Sequence, residues 1–350
     1  MIAKILDFKY EDLVFHHVRM NFSADMNDIG KVQLKKFFEL FRVILLIIWK
    51  RIFNGASVLY YPPAGPNKVP IIRDIIILVT TRFLFRKTIF HFHAGGLSEK
   101  FNELSPLLQK LYKLAYFKPD LTIRLSKLNP DDGNFVQSKC DVIVPYGIDD
   151  VSSSFTPAVA DGTIKILFTG VLMESKGVSE LIRATKLIRE QVRDISIRVW
   201  LMGRFESQAY EQELRSMINQ YDLESIVQIV GTRTGREKFE FFNDCDVFCF
   251  PSFFESETFG IVLLEAMQFA KPVVTTRWRG IPDVVDEGVT AILADIGDTK
   301  ALSDALLRMI RDHQLRSRLG NAGRERFLKY FTTDVFKENL HAELSRAIHE

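Results

Sequence analysis

Glu257 and Glu265 are eight residues apart in one short segment, which follows an apolar run ending at Pro251-Ser252. On a single straight α-helix, eight residues would separate the two side chains by about 12 Å of rise and roughly 80° of azimuth. The paired acids of a glycoside hydrolase need carboxyl groups only about 5–9.5 Å apart. The spacing therefore favours Glu257 in a loop and Glu265 on the second turn of the next helix, each contacting a different part of one long ligand.

The helix after Glu257 is predicted to begin near Phe259-Gly260. The first N–H groups of a helix have no partner within it, and the helix dipole adds about half a positive charge there. Such a junction can hold an anion by its backbone amides and a polyol by its carboxylates, and a nucleotide-sugar presents both groups. The alternative is an ordinary amphipathic helix that carries two solvated glutamates.

The second half of the chain alternates predicted strands and helices. The predicted strands are 164–169, 195–201, 226–230, 247–251, 272–275 and 291–293, and the predicted helices include 178–192, 208–221, 236–242, 300–311 and 315–330. Continuous apolar strands that alternate with amphipathic helices indicate a parallel sheet covered on both faces. Gly170, Gly203, Gly231 and Glu257 come just after strands, so we expect them at the carboxyl rim of the sheet, where ligands bind.

The first half is also α/β in pattern but less regular. Its predicted strands are 13–21, 57–61, 88–93, 121–125 and 142–145, and a polar stretch at 149–161 is predicted to be a linker. We therefore predict an N-terminal Rossmann-like domain at 1–150 and a C-terminal one at 151–332. A last helix, at 333–350, is expected to pack back on the first domain.

Composition limits the class of protein. The chain has 350 residues, of which 26% are charged and 47% hydrophobic, as expected for a soluble globular protein of two domains. Residues 1–150 carry 21 Lys and Arg against 15 Asp and Glu, whereas the remainder carries 25 against 29, which suggests unlike partners for the two halves. Three scattered cysteines are too few for a disulfide framework, so a reducing, cytoplasmic setting is expected.

The N-terminal region combines apolar and basic residues. Its longest apolar run, 43–49, is far shorter than the roughly 20 residues that span a bilayer, and no signal-peptide pattern is evident. Segments 31–53 and 71–89 are predicted as helices rich in apolar and basic residues, which is typical of helices that lie on an anionic membrane surface. We therefore expect peripheral association with the inner membrane face. The alternative is core helices with snorkelling basic tips.

Four segments are similar to motifs of the family 4 retaining glycosyltransferases, which have the GT-B fold. Residues 144–149 resemble the family's PNGID, and residues 168–177 resemble its GRL…KG phosphate segment. Residues 246–267 resemble the D-strand-PS…EGFG…EAM core, and residues 271–283 resemble PVV…GG-PE. The resemblance covers the second half in order and is weaker over the first. It implies two Rossmann-like domains that face each other across a cleft.

The resemblance also implies roles for individual residues. Glu257 would contact hydroxyls of the donor sugar, Glu265 would accept hydrogen bonds from the ribose, and Lys176 would neutralise the leaving phosphates. The residues implied in donor binding are Gly170, Gly203, Thr258, Phe259, Gly260 and Glu265, and those implied in catalysis are Glu257, His93 and Lys176. Fixed cations and amides aimed at a departing nucleoside diphosphate lower the barrier. This fold usually works without a metal, so no cofactor is expected and the nucleotide-sugar is a co-substrate.

Two further motifs have competing interpretations. His93, before Ala94-Gly95-Gly96, matches the family's first-domain histidine, which contacts the donor sugar or helps to move the acceptor proton. His91 on the same strand face is its rival, and a capping histidine in a glycine turn is the structural alternative. Asp244-Cys245-Asp246 spells the metal signature of the other glycosyltransferase fold, but it begins an apolar strand and is interpreted as a coincidence.

The chain also departs from the family pattern. Val171 stands where the family usually has Arg, so one phosphate contact is missing unless another residue, such as Arg204, supplies it, and Tyr146 stands where Asn is usual. We find no glycine-rich loop in the first 60 residues, and Asp28-Ile29-Gly30 is no substitute. The opening strand, loop and helix of the family are therefore expected to be missing or altered.

The implied activity is a metal-independent, retaining transfer of a hexose from a UDP- or GDP-sugar to a glycan or lipid-linked acceptor. Cell-surface polysaccharide biosynthesis is the expected setting, with no nucleic acid as partner. One alternative is a nucleotide-sugar epimerase of similar build, which would turn over the donor without an acceptor. The other is a weakly active or inactive nucleotide-binding subunit.

Overall fold

A computed structural model describes residues 2–22, 34–159 and 161–349 of the chain. It divides into two compact units, which we call the first unit (Met1–Pro145 with Phe336–Glu350) and the second unit (Tyr146–Val335). The stretch predicted as a linker, 149–161, belongs to the second unit and contains a short 3-10 turn at Ser152–Ser154.

The first unit is built on a four-stranded parallel sheet with the order β1-β2-β3-β4. Its elements are α1 (Ile2–Asp7), α2 (Leu34–Phe53), β1 (Val58–Tyr61), α3 (Lys68–Thr81), β2 (Lys87–His91), α4 (Pro106–Tyr116), β3 (Leu121–Arg124), α5 (Asp132–Phe135) and β4 (Asp141–Ile143). Apolar side chains of α2, α3, α4 and the strands form one buried core, in which Phe90, Tyr112 and Tyr116 are the largest members. Within the described residues, no helix is long and apolar enough to cross a bilayer.

Two predictions for this unit are wrong. Residues 13–21 form no strand, although the alternate side chains Val18, Met20 and Phe22 do pack against the core. The alternation therefore marks side chains that are partly buried against the core in a segment that pairs with no strand among the described residues. The helix predicted over 71–89 ends at Thr81, because the guanidinium of Arg82 donates to the carbonyls of Ala115, Phe117 and Lys118 and the chain then enters β2.

Other N-terminal predictions are only partly covered by the structure. Residues 31–33 of the predicted helix 31–53 and the Asp28-Ile29-Gly30 motif lie outside the described residues. Among residues 2–22 and 34–57, no strand precedes β1. The C-terminal helix α13 (Thr333–His349) belongs to the first unit from Phe336 onward. The ring centroids of Phe336 and Phe8 lie 5.8 Å apart.

The second unit is a six-stranded parallel sheet with the order β10-β9-β8-β5-β6-β7. Its strands are β5 (Thr163–Thr169), β6 (Ser196–Met202), β7 (Val227–Gly231), β8 (Val247–Phe250), β9 (Val273–Thr276) and β10 (Ala291–Ala294). Its helices are α6 (Val178–Gln191), α7 (Gln208–Gln220), α8 (Gly235–Asp244), α9 (Ile261–Gln268), α10 (Ile281–Val284), α11 (Thr299–Arg311) and α12 (His313–Tyr330). Each predicted strand of this half is confirmed, with its ends within one residue.

The strand order places a topological switch between β5 and β8. The chain proceeds from β5 to β6 and β7 on one side, and from β8 to β9 and β10 on the other. In open α/β sheets, a crevice forms beyond the carboxyl ends of the strands at such a switch. The loops that follow β5 and β8 therefore face this crevice.

Candidate functional site

The loops after β5 and β8 are packed against each other at the switch point. The amide of Phe253 donates to the carbonyl of Ser175 at 2.8 Å. Gly177 has a φ of 75°, and a Cβ at this position would lie 2.1 Å from the carbonyl oxygen of Pro251. Glycine is required there for both reasons, since only glycine has low energy at positive φ and only glycine allows this approach. The contact fixes Lys176 beside the loop that carries Glu257.

Lys176 and Glu257 form an ion pair in this crevice. The Lys176 Nζ lies 2.5 Å from the Glu257 Oε2, which also accepts a hydrogen bond from the Ser252 hydroxyl at 3.3 Å. The two side chains are only 15% and 11% exposed, so little water screens the pair. The lysine ammonium also lies 4.4 Å from the ring centroid of Phe254. The site thus presents one cation and one carboxylate on a largely apolar floor.

The helix that follows Glu257 begins two residues later than Phe259. Gly260 is its N-cap in the left-handed conformation, and α9 starts at Ile261. The side chains of Thr258 and Phe259 are buried, and the Phe259 ring packs against Tyr146 at 5.7 Å and Phe331 at 5.8 Å. Tyr146, which replaces the usual Asn, therefore supports the loop whose backbone leads into α9.

Glu265 lies on the second turn of α9 and is paired with a lysine that the sequence analysis missed. The Nζ of Lys238, on α8, lies 2.6 Å from both Glu265 carboxylate oxygens. Burial raises the pKa of the Glu265 carboxyl, and the ion pair with Lys238 works against that rise. One sequence signal was present: Lys238 is one helical turn before Phe242, which is fully buried, so both lie on the inward face of α8.

Main-chain hydrogen bonds that involve Gly170, Gly203 and Gly231 join the carboxyl ends of β5, β6 and β7. The Gly170 amide donates to the Met202 carbonyl and the Gly203 amide to the Gly231 carbonyl, each at 3.0 Å. A Cβ at Gly203, whose φ is 152°, would lie 1.7 Å from the Gly170 oxygen. The Leu172 amide donates to the Arg204 carbonyl at 2.8 Å, which places residue 204 beside the Val171 segment.

In the first unit, His93 lies two residues beyond the end of β2 rather than on the strand, because the ladder ends at His91. The centroids of the two imidazole rings lie 4.2 Å apart with the ring planes tilted by 35°, and the Tyr60 hydroxyl is hydrogen-bonded to His91 Nδ1. Burial lowers the pKa of His93 to about 4 and lowers that of His91 well below its usual value. Both imidazoles are therefore neutral near pH 7.

The loop after His93 is held by a residue that the sequence analysis did not single out. The buried carboxylate of Asp132 accepts hydrogen bonds from the Gly96 amide at 2.9 Å and from the Ser98 amide at 2.7 Å. The Ser98 hydroxyl adds a third at 2.6 Å. Burial raises the pKa of Asp132 despite these donors. Its place on a short helix 36 residues from Gly96 gave no local sequence signal.

Asp244 and Asp246 lie at the amino edge of the sheet, opposite the carboxyl rim. The Lys165 ammonium donates to Asp244 at 2.8 Å, and the Lys165 amide donates to Asp246 at 2.8 Å. The two carboxylates therefore tie the ends of β5 and β8 together. Among the described residues, no three His, Cys, Asp or Glu side chains are arranged to hold a metal ion.

A comparison with protein families identifies the chain. The family model "Glycosyl transferases group 1" matches residues 152–326, which is half of the sequence and almost the whole second unit. The chain belongs to this family. The match includes both Lys–Glu pairs and the start of α9.

Curated relatives of the chain are named as glycosyltransferases. The chain is 30% identical over 219 residues to a D-inositol 3-phosphate glycosyltransferase of Pseudarthrobacter chlorophenolicus, covering 59% of this chain and 51% of the relative. It is 29% identical over 228 residues to the putative colanic acid biosynthesis glycosyltransferase WcaL of Escherichia coli K12, covering 63% and 53%. The chain thus spans about half the length of the curated relatives it matches.

Solved structures confirm the fold across both units. HepE of Anabaena, solved in complex with UDP, superposes with a TM-score of 0.69 at 19% identity, covering 88% of this chain and 82% of that one. Sucrose-phosphate synthase of Thermosynechococcus elongatus superposes with a TM-score of 0.72 at 19% identity, covering 96% and 85%. The predicted GT-B class, with two Rossmann-like parallel-sheet domains, is confirmed.

Proposed function

We propose that this protein is a retaining hexosyltransferase that moves a sugar from a UDP- or GDP-sugar to a glycan or lipid-linked acceptor in cell-surface polysaccharide biosynthesis. The observation that carries the proposal is the switch-point crevice of the second unit. There, a buried Lys176–Glu257 pair, the start of α9 and the Glu265 carboxylate lie on neighbouring segments. The UDP bound to HepE and the colanic acid role in the name of WcaL support this choice of donor and pathway.

The donor would lie along the carboxyl rim of the second unit. Its diphosphate would meet the backbone of Thr258–Gly260 at the start of α9, where amides and the helix dipole favour an anion. Lys176 would neutralise the charge that develops as the nucleoside diphosphate leaves. Hydrogen-bond donors and cations that are fixed in a site without water stabilise such charge without having to reorient during the reaction. Removing one of them lowers the rate by about 10²–10³. Because this cation and these amides supply the stabilisation, we propose that the reaction needs no metal and no other cofactor.

The remaining groups would hold the two sugars of the donor. Glu257 would accept hydrogen bonds from hydroxyls of the transferred hexose, and Glu265 from those of the ribose. Gly170 and Gly203 would bring the main chain of the rim close to the donor, because their close contact with each other leaves no room for a side chain at Gly203. In the first unit, neutral His93 would contact the sugar or accept the acceptor proton, a role that a protonated imidazole could not perform.

The decisive experiment is transfer from UDP- and GDP-hexoses to a lipid-linked saccharide, with the anomeric configuration of the product read by NMR. We expect retention, and activity that survives EDTA. Inversion of the anomeric carbon would refute the retaining assignment, and loss of activity on chelation would refute metal independence. Turnover of the donor without acceptor would indicate the epimerase instead, and nucleotide binding without any turnover would indicate an inactive subunit.

We further propose that the protein is cytoplasmic and binds the inner membrane face through α2. Val43 and Ile47 of this helix are buried in the core of the first unit. Seven apolar side chains of the same helix are at least half exposed: Phe37, Phe38, Phe41, Leu45, Trp49, Ile52 and Phe53. At 100° per residue, the centre of this exposed group lies roughly 180° from Val43 and Ile47. We call these seven side chains the outer face of α2.

The charge of the same segment favours an anionic lipid surface as the partner. Residues 31–53 contain six Lys and Arg but one Glu. Apolar side chains that enter the lipid interface, together with basic residues that meet anionic headgroups, are the features of a helix lying in a membrane surface. A lipid-linked acceptor would be presented at this same surface.

Vesicle flotation tests the membrane proposal with the full chain. We expect binding to vesicles that contain phosphatidylglycerol, weaker binding to pure phosphatidylcholine, and loss of binding in Phe41→Glu/Trp49→Glu. Leu114→Glu, which changes an equally exposed apolar residue on α4, is the matched control and should bind as the wild type does. Equal binding of the double variant and the wild type would refute the assignment to α2.

A further inference from the structure

Lys238 and Glu265 form the second buried ion pair of the crevice. They lie on different helices, α8 and α9, and are 27 residues apart in sequence. Lys238 Nζ donates a hydrogen bond to Glu265 Oε1 at 2.6 Å and lies 2.6 Å from Oε2, which accepts no hydrogen bond among the described residues. The side chains are only 23% and 12% exposed. Lys238 belongs to none of the segments that carry the family resemblance.

The surroundings of Lys238 strengthen its effect on the ionisation of Glu265. The Lys238 ammonium lies 5.9 Å from the ring centroids of both Phe239 and Phe242, so the ion pair is flanked by apolar rings. Among the described residues, Lys238 is the charged group that acts on the Glu265 carboxyl, and it opposes the effect of burial on that carboxyl's pKa. A buried carboxylate that loses its cation is destabilised and tends to take up a proton.

The protonation state decides what Glu265 can recognise. An ionised carboxylate only accepts hydrogen bonds, whereas a protonated one carries a donor on one oxygen. Ribose hydroxyls that donate to the site need two acceptor oxygens held at fixed positions. The ammonium of Lys238 supplies both requirements, since its charge keeps the carboxylate ionised and its hydrogen bond to Oε1 fixes the orientation of the carboxylate.

We propose that Lys238 is a positioning residue for nucleoside recognition: it holds the Glu265 carboxylate ionised and oriented to accept hydrogen bonds from the ribose of a nucleoside diphosphate. This inference rests on the proposed donor site. It adds a residue outside the family motifs, and it explains how a carboxylate this buried serves as an acceptor.

The inference predicts a pH dependence that appears only when the lysine is removed. Burial already raises the pKa of Glu265, so removal of Lys238 raises it further. The ionised form is then lost as the pH falls toward that higher pKa. Lys238→Met should therefore bind nucleotide progressively more weakly, relative to the wild type, as the pH is lowered from 8 to 6.

Calorimetry with UDP and GDP, at pH 6 and pH 8, tests the proposal. Each variant is compared with the wild type at the same pH, because the terminal phosphate of the nucleotide itself titrates near pH 6. We expect Lys238→Met to weaken binding by about tenfold more at pH 6 than at pH 8, a single hydrogen-bonding defect being about tenfold in affinity. Lys238→Arg should restore wild-type behaviour, and Lys238→Met/Glu265→Gln should lose the extra pH dependence.

The Glu265 side-chain carboxyl can also be titrated directly by ¹³C NMR, without nucleotide, in the wild type and in Lys238→Met or Lys238→Gln. A higher pKa in either variant is expected. An unchanged pKa, or binding weakened equally at both pH values, would overturn the inference while leaving the donor site in place. If the wild type bound neither UDP nor GDP, the proposed function itself would fail, and this inference with it.

Discussion

Replacement of Lys176 by Met would separate the proposed catalytic role of this lysine from its contribution to stability. The substitution keeps the length of the side chain over Phe254 but removes the ammonium 2.5 Å from Glu257. Among the described residues, the Ser252 hydroxyl, at 3.3 Å, would be the remaining hydrogen-bond donor to the Glu257 carboxylate. Breaking a fully buried ion pair in this way lowers the unfolding free energy by about 3–5 kcal/mol, and breaking an exposed pair lowers it by about 0–1 kcal/mol. With both side chains about nine-tenths buried, we expect about 2–3 kcal/mol of lost unfolding free energy.

The effect on turnover should be larger and should not follow stability. Loss of a fixed cation at the departing diphosphate is expected to lower kcat by about 10²–10³. The variant Lys176→Met/Glu257→Gln removes both charges, so its unfolding free energy should recover most of the loss, since no buried charge is left without a partner. Its turnover should remain at least as low as that of the single variant.

Urea denaturation and a coupled assay of nucleotide release measure the two quantities on the same samples. The matched control is Lys186→Met, because this lysine belongs to α6 and lies over the Tyr221 ring, away from the switch-point loops. Wild-type turnover in Lys176→Met would refute the proposed role of the cation. Turnover that returned together with stability in the double variant would show that Lys176 acts only by supporting the fold.

Two further predictions concern stability. Gly203→Ala would place a Cβ 1.7 Å from the Gly170 oxygen, so we expect it to cost at least about 3 kcal/mol in urea denaturation; Gly288→Ala, also at positive φ but with open space around it, should cost only about 1 kcal/mol. Because burial lowers the pKa of His93 to about 4, the unfolded chain binds its proton first, and the stability that the neutral imidazole supplies should be lost as the pH falls from about 6.5 to 4. In His93→Gln, the loss of unfolding free energy between about pH 6.5 and 4 should be smaller than in the wild type by up to about 3 kcal/mol. The same pH profile of the unfolding free energy in both proteins would contradict the buried, neutral state of His93.

The second unit was predictable from sequence because its local and global signals agree. Each strand is a continuous apolar run, each helix is amphipathic, and short loops join them, so a parallel sheet satisfies every segment at once. The positions of Gly170, Gly203 and Glu257 at the rim follow from that topology alone. Burial on both faces also explains why the predicted strand ends are accurate, since polar residues mark where the sheet stops.

The first unit shows where such signals fail. The alternation over 13–21 is compatible with a strand, yet pairing requires a free sheet edge at the right place, which a local pattern does not encode. The apolar run over 71–89 continues through two different elements. Its division depends on Arg82, whose guanidinium binds carbonyls more than 30 residues away in sequence. Tertiary contacts, rather than propensity, set the helix end.

The two Lys–Glu pairs show that, within the site too, contacts between residues distant in sequence cannot be predicted from local patterns. The sequence indicates both glutamates, because their motif is local, and the family resemblance implies Lys176, because the segment that contains it is also local. The sequence does not reveal that each carboxylate has its own buried cation, since the partners are 81 and 27 residues apart. For Glu265 the pairing matters because burial raises the pKa of this carboxyl and the Lys238 ammonium opposes that rise, which favours the ionised form that only accepts hydrogen bonds. In the proposed site, recognition of ligand hydroxyls would thus depend on two lysines as much as on the two glutamates, and a search by motif would find only Lys176.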